Sequence, residues 1–155
     1  MGGVTGRSWW GTRPRDSIEA LCRRHGDDAV IRDCLVLLSG GDADPAVVDA
    51  LAGPGSARFL DAPADQRYWL RVWGARGLLW APWRSSSAPG VRSGLGDDHW
   101  RVREMSAKVV ARHRVDDALP EIAALTTGDP VERVRAAAGR ALRLLTAPAG
   151  PDHRL

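Results

Sequence analysis

At 155 residues, with 44% hydrophobic and 26% charged side chains, the chain has the composition of one ordinary globular domain or a short repeat array and excludes intrinsic disorder. No apolar run approaches the roughly 18 residues that span a bilayer, and Met1 to Arg15 lacks the continuous apolar stretch of a secretory signal, so a cytoplasmic protein without membrane contact is expected. The net charge of +3 is spread along the chain, with 12 basic and 10 acidic residues over 1–96 and 10 and 9 over 97–155, which leaves nucleic acid an unlikely partner.

Met1 to Arg15 is rich in Gly, Ser, Thr and Arg, and its large apolar residues, Trp9 and Trp10, have no partner at helical spacing. A flexible or draped arm is expected over 1–15. Asp16 with Glu19 has the form of a capping box, opening a helix that turns Ile18, Leu21 and Cys22 inward until Gly26. Asp28 to Leu38 is predicted as a second helix with a broad apolar face, stopped by Gly40 and Gly41. Asp44 and Pro45 then start a short helix through Leu51, and Gly53 to Ala64 reads as an inserted connection.

Gln66 to about Ala81 is the next predicted helix, ended by Pro82 with Trp83 just beyond. Arg84 to Gly96 is poor in apolar residues, so a short helical turn or a loop is expected around Val91 and Leu95. Asp97 to Arg114 places Val102, Met105, Ser106, Val109 and Val110 on one helical face. Asp116 to Thr126 is read as a helix with Leu119, Ile122, Ala123 and Leu125 inward, broken by Gly128. Asp129, Pro130 and Glu132 supply cap, proline and first-turn acid for a last helix reaching about Leu145. One domain over 16–147 results, with a polar tail at 148–155.

Three of these helices repeat one pattern. Asp65, Asp97 and Asp129 fall at a constant interval of 32 residues, and each is followed by an aliphatic-arginine pair: Leu70-Arg71, Val102-Arg103 and Val134-Arg135. Small residues (Gly74, Ser106, Ala138), basic ones (Arg76, Lys108, Arg140) and aliphatic ones (Leu78, Val110, Leu142) follow in phase, and Val110 and Leu142 are expected to be fully buried. A fixed period in the thirties signifies stacked helix pairs, each too small to bury its apolar face alone. Ile31-Arg32 echoes the pattern 39 residues before Leu70-Arg71, which marks a degenerate first repeat with an insertion after it.

Asp129-Pro130, Val134-Arg135, Ala137-Ala138 and Ala141-Leu142 resemble a short bacterial HEAT repeat of the kind found in phycobilin-lyase-like proteins. The resemblance implies an all-α fold, a right-handed α-solenoid of antiparallel helix pairs whose second helices line the concave side. It points to a protein-interaction scaffold, since such repeats carry no single activity. Two alternatives stay open: nucleic-acid binding, as in HEAT-like alkylpurine DNA glycosylases, where Trp100, Arg101 and Arg103 would imitate a concave recognition surface, and a cofactor or small-molecule role like that of the lyases.

The aspartates at 65, 97 and 129 are expected to cap helices, while Arg71, Arg103 and Arg135 meet the cap of a neighbouring repeat in a structural ladder. Cys22 and Cys34 are read as buried free thiols, and the scattered histidines give no metal set, so neither metal nor cofactor is expected. Tryptophan is the unusual feature. Trp73 has the core phase, Trp69 shares the outward phase of Arg101 and Arg133, and Trp80 adds a further apolar face to the same helix. Residues before Gly53 are expected to cover Trp69 and Trp80, leaving Trp83, Trp9 and Trp10 as exposed aromatics for a partner protein or a second copy.

Overall fold

The computed structural model describes residues 10–148; the expected arm up to Trp9 and the tail from residue 149 lie outside the described residues. The described chain forms α1 (Pro14–His25), α2 (Asp27–Leu38), α3 (Pro45–Ala52), α4 (Tyr68–Trp80), α5 (Ala88–Gly94), α6 (Trp100–His113), α7 (Leu119–Gly128) and α8 (Glu132–Thr146), with no strand among them. The even-numbered helices pack in series, α2 on α4, α4 on α6 and α6 on α8, and the odd-numbered ones form a second layer. This is an α-solenoid of helix pairs.

Local chemistry places most of the ends. Gly26, at φ 89°, is both the last corner of α1 and the first of α2, a left-handed junction that an L side chain would strain. Asp44 caps α3 by accepting the Ala46 N–H at 2.8 Å. The capping box expected at Asp16 does not form: Pro14 starts α1 two residues earlier, and Asp16 accepts from the Arg13 guanidinium at 2.9 Å instead. The stretch 84–96, open between turn and loop, forms a 3-10 turn at Ser85–Ser87 that leads into α5. In α7 the inward phase differs from expectation. A 3-10 turn at Asp116–Ala118 precedes the helix, so the buried series runs Val115, Ala118, Ile122, while Leu119 stands 38% exposed and Ala123 faces solvent.

The inserted connection is pinned rather than loose. Two 3-10 turns, Ser56–Asp61 and Ala64–Gln66, are tied back by the Ala57 N–H on Asp49 at 2.8 Å and by Arg67, which donates to the Leu60 carbonyl. Phe59 on the first turn meets Trp73 edge-on, ring centroids 5.2 Å apart.

The column of small residues marks where the helices come closest. A Cβ on Gly74 would lie 2.6 Å from the Cys34 carbonyl and 2.9 Å from the Leu38 nitrogen, so α4 rests on the backbone of α2 there. One turn on, a Cβ on Gly77 would collide with Cys34 Sγ. Ser106 and Ala138 fill the same column on α6 and α8, both fully buried. Val110 is fully buried as expected, but Leu142 is only half-buried, because no described helix packs beyond α8.

The Arg and Asp columns meet between repeats. Arg71 donates to both carboxylate oxygens of Asp97 at 2.8 and 3.1 Å, and Arg103 does the same to Asp129 at 2.7 and 3.2 Å. Each arginine from 103 on also reaches back to its own repeat, Arg103 to the Asp97 carbonyl at 2.9 Å and Arg135 to the Asp129 carbonyl at 2.7 Å. The aspartates stand two residues ahead of the helix caps: Asp97 accepts the His99 N–H and Asp129 the Val131 N–H, closing turns that feed α6 and α8. Asp65 is exposed in a 3-10 turn and joins no rung, since Arg32 on α2 lies at the surface and the α2/α4 contact is made by glycine.

Candidate functional site

The row of even-numbered helices changes charge along its length. Helix α4 carries Arg71 and Arg76 and no acid; α6 carries Arg101, Arg103, Lys108 and Arg112 against Glu104; α8 carries Arg133, Arg135, Arg140 and Arg143 against Glu132. At the other end of the row α2 is acidic, with Asp27, Asp28 and Asp33 against Arg32. Counted along the chain the charges look evenly mixed; counted by helix they are segregated. The period would have shown it, because Arg76, Lys108 and Arg140 share one phase and Arg101 and Arg133 another.

Aromatic rings fill the spaces between these cations. Trp73 stacks on Trp69 at 6.0 Å, the Arg101 guanidinium lies 5.0 Å from Trp69 and 4.5 Å from Trp100, and Arg133 lies 5.3 Å from Trp100. A guanidinium held flat on a ring is partly desolvated yet keeps its N–H edge free for an anion. Arg133 is further steadied by Glu104 at 3.1 Å, which also lies 3.9 Å from Lys108. Beside them a groove of about 220 Å³ runs between α6 and α8, lined by Glu104, Lys108, Arg133, Ala136, Ala137 and Arg140.

Tyr68 and His99 close the upper end of this array, their rings parallel with centroids 3.6 Å apart. His99 Nδ1 accepts the Arg101 N–H at 3.2 Å and so caps α6 as a neutral ring. Burial lowers its pKa below the ordinary value, and the positive charges of Arg101 and Arg71 add to that. Arg76, deeper in the row, donates to the Leu51 carbonyl at 3.4 Å, and burial lowers its pKa as well.

The sequence-derived candidates divide into two places. Trp100 and Arg101 belong to the array. Trp83 lies at the far end of α4, half-buried and stacked on His113 at 5.2 Å, whose Nε2 donates to the Leu78 carbonyl at 2.9 Å. Trp10 is half-buried ahead of α1, and Trp9 lies outside the described residues. Of the cover expected for Trp69 and Trp80 from residues before Gly53, the ring contacts include one upstream member, Arg15 on Trp80, beside downstream ones. Trp69 is flanked by Trp73, Tyr68 and Arg101; Trp80 sits between Arg15 of α1, at 5.4 Å, and Arg112 of α6, at 4.6 Å. On each ring an arginine one repeat period downstream, Arg101 on Trp69 and Arg112 on Trp80, lies against the indole.

The remaining chemistry is quiet. Cys22 and Cys34 are free and buried, and burial pushes both thiols up, Cys34 far above its ordinary range. Among the described residues no group of His, Cys, Asp and Glu is placed to hold a metal ion, and no helix is long and apolar enough to cross a membrane. A second groove, of about 600 Å³, lies between α2 and residues 84–86 and is lined by Ile31, Leu35 and Val36 with Asp28, Arg32 and Arg84.

Comparison with known proteins gives one finding. A profile describing HEAT repeats matches residues 56–146, well over half of the chain, while no curated protein and no solved structure matches it.

Proposed function

Since the chain belongs to the HEAT-repeat family, whose repeats generally mediate protein interaction or scaffolding, we propose that it is an interaction module presenting the α4, α6 and α8 face to another protein. The observation that carries this reading is the set of arginines on that face without an acidic partner among the described residues. Arg71 and Arg103 are consumed by the ladder, and Arg133 and Lys108 share Glu104, but Arg101 and Arg112 have only aromatic rings against them. Holding unpaired cations side by side costs self-repulsion, which an oppositely charged partner relieves.

A photo-crosslinking side chain placed at Ala136, exposed within the row, tests this against one at Ala123, exposed on α7. In extract of the native host, the Ala136 derivative is expected to join a discrete protein that the Ala123 derivative does not. Equal labelling from both positions, or labelling from Ala123 alone, overturns the assignment of the face.

A further inference from the structure

We propose, building on the interaction-module reading, that the array around Trp100 takes an acidic peptide segment of the partner, with side-chain carboxylates held by Arg101 and Arg133. Both guanidinium groups lie over the same indole, at 4.5 and 5.3 Å from its centroid, so they are neighbours across one ring. Arg101 makes no ion pair among the described residues, and Arg133 uses its Nε on Glu104, which leaves its terminal nitrogens for a ligand. A planar fork of N–H donors matches a carboxylate in a bidentate fashion, and its pre-organised shape lessens the side-chain entropy lost per hydrogen bond formed.

Two features favour a peptide over a nucleic acid. Sequence-tolerant binding of single strands relies on free aromatic faces for base stacking, whereas here Trp69 and Trp100 have guanidinium groups against them and Tyr68 is paired with His99. A continuous phosphate backbone laid across the row would also pass the Glu104 carboxylate, which is only 12% exposed and fixed between Arg133 and Lys108. A peptide carries discrete charges and can set an uncharged residue there. The adjoining groove of about 220 Å³, where Ala136 and Ala137 lie among Glu104, Lys108, Arg133 and Arg140, has room for one further peptide side chain next to the carboxylates.

The test uses the full chain and a fluorescein-labelled peptide, Gly-Asp-Glu-Leu-Asp-Glu-Gly, followed by anisotropy at about 0.15 M salt, where screening beyond roughly 8 Å removes diffuse attraction. Three comparison probes are its Asn/Gln isostere, a phosphoserine version and a single-stranded oligonucleotide of equal charge. The acidic peptide is expected to bind at least tenfold tighter than the isostere. Arg101→Gln with Arg133→Gln is expected to remove that difference, whereas Arg24→Gln on α1 leaves it. Equal binding of the acidic and isosteric peptides overturns the proposal without any variant having to fold. So does an equal loss with Arg24→Gln, or binding of the oligonucleotide or phosphopeptide tenfold tighter than the carboxylate peptide. If the peptide fails while the Ala136 crosslink persists and survives the double Gln substitution, the interaction module stands and the carboxylate specificity falls. If the crosslink fails too, both fall.

Discussion

The contact between α2 and α4 and the contact between α6 and α8 occupy equivalent places in the row and are closed by different physics. Upstream, Gly74 and Gly77 let α4 down onto the α2 backbone, and no Arg–Asp rung joins the two helices. Downstream, alanine replaces glycine at Ala138, and the Arg103–Asp129 pair crosses to the turn that feeds α8, with Asp129 only 5% exposed. The intermediate contact, α4 on α6, has its own rung, Arg71–Asp97, but a more exposed one. A repeat therefore needs only one strong means of holding its neighbour at a fixed distance. Close backbone approach serves where a glycine is available, and a desolvated ion pair serves where it is not.

Removing the downstream device should have the largest effect. Asp129→Ala leaves Arg103 buried without its carboxylate, and a loss of about 3–5 kcal/mol in urea unfolding is expected. The same pair gives the comparison a pH dependence. Burial raises the Asp129 pKa, but the bond from Arg103 and the Val131 N–H outweigh it and set the group below its ordinary 3.8. Its contribution is therefore complete above that value and lost as pH falls through the folded pKa. Acid titration of stability should show this loss in the native chain and lack it in Asp129→Asn.

Upstream, Gly74→Ala drives a methyl group against two backbone atoms of α2 and should cost about 2–3 kcal/mol. Gly77→Ala meets side chains instead, Cys34 Sγ most closely and then Leu51, so Cys34→Ala should rescue part of it, with a coupling of about 1 kcal/mol in a double-mutant cycle. Additive single effects would show that the thiol is not what holds α4 away. Leu142→Ala, on the outer side of the half-buried end, should cost about 1 kcal/mol, below the 2–5 of a fully buried leucine. The smallest change is expected at Ser106, whose buried hydroxyl has no hydrogen-bond partner among the described residues and presses toward Gly94. Ser106→Ala should leave the unfolding free energy within about 0.5 kcal/mol of native or slightly above it.

Much of this frame was legible in the sequence, for identifiable reasons. Gly26, Pro45 and Pro82 are strong local signals, and the 32-residue interval located α4, α6 and α8 together with the columns that meet between them. The phase of α7 was not legible, because the 3-10 turn at Asp116–Ala118 shifts the inward series onto Val115 and Ala118 and away from Leu119. Helix α5 was undecided because a Ser- and Gly-rich stretch has little propensity of its own and is held by packing on α6. The array was half visible: Trp69, Arg101 and Arg133 were in phase and outward, but an outward arginine says nothing about whether it faces water or a ring. Summing charge along the chain rather than around each helix hid the basic face.

The rungs have a consequence for how the chain reaches its fold. Each joins residues 26 apart, within one repeat and the next, so each closes a loop of the same modest length wherever it lies in the array. Loop-closure entropy grows only logarithmically with loop length, about 0.6 kcal/mol per doubling, and here the length does not grow at all as repeats are added. Folding can then spread pair by pair from either neighbour without a long-range search, and the 32-residue unit can be duplicated or deleted with the sequence separation of the remaining neighbour contacts unchanged.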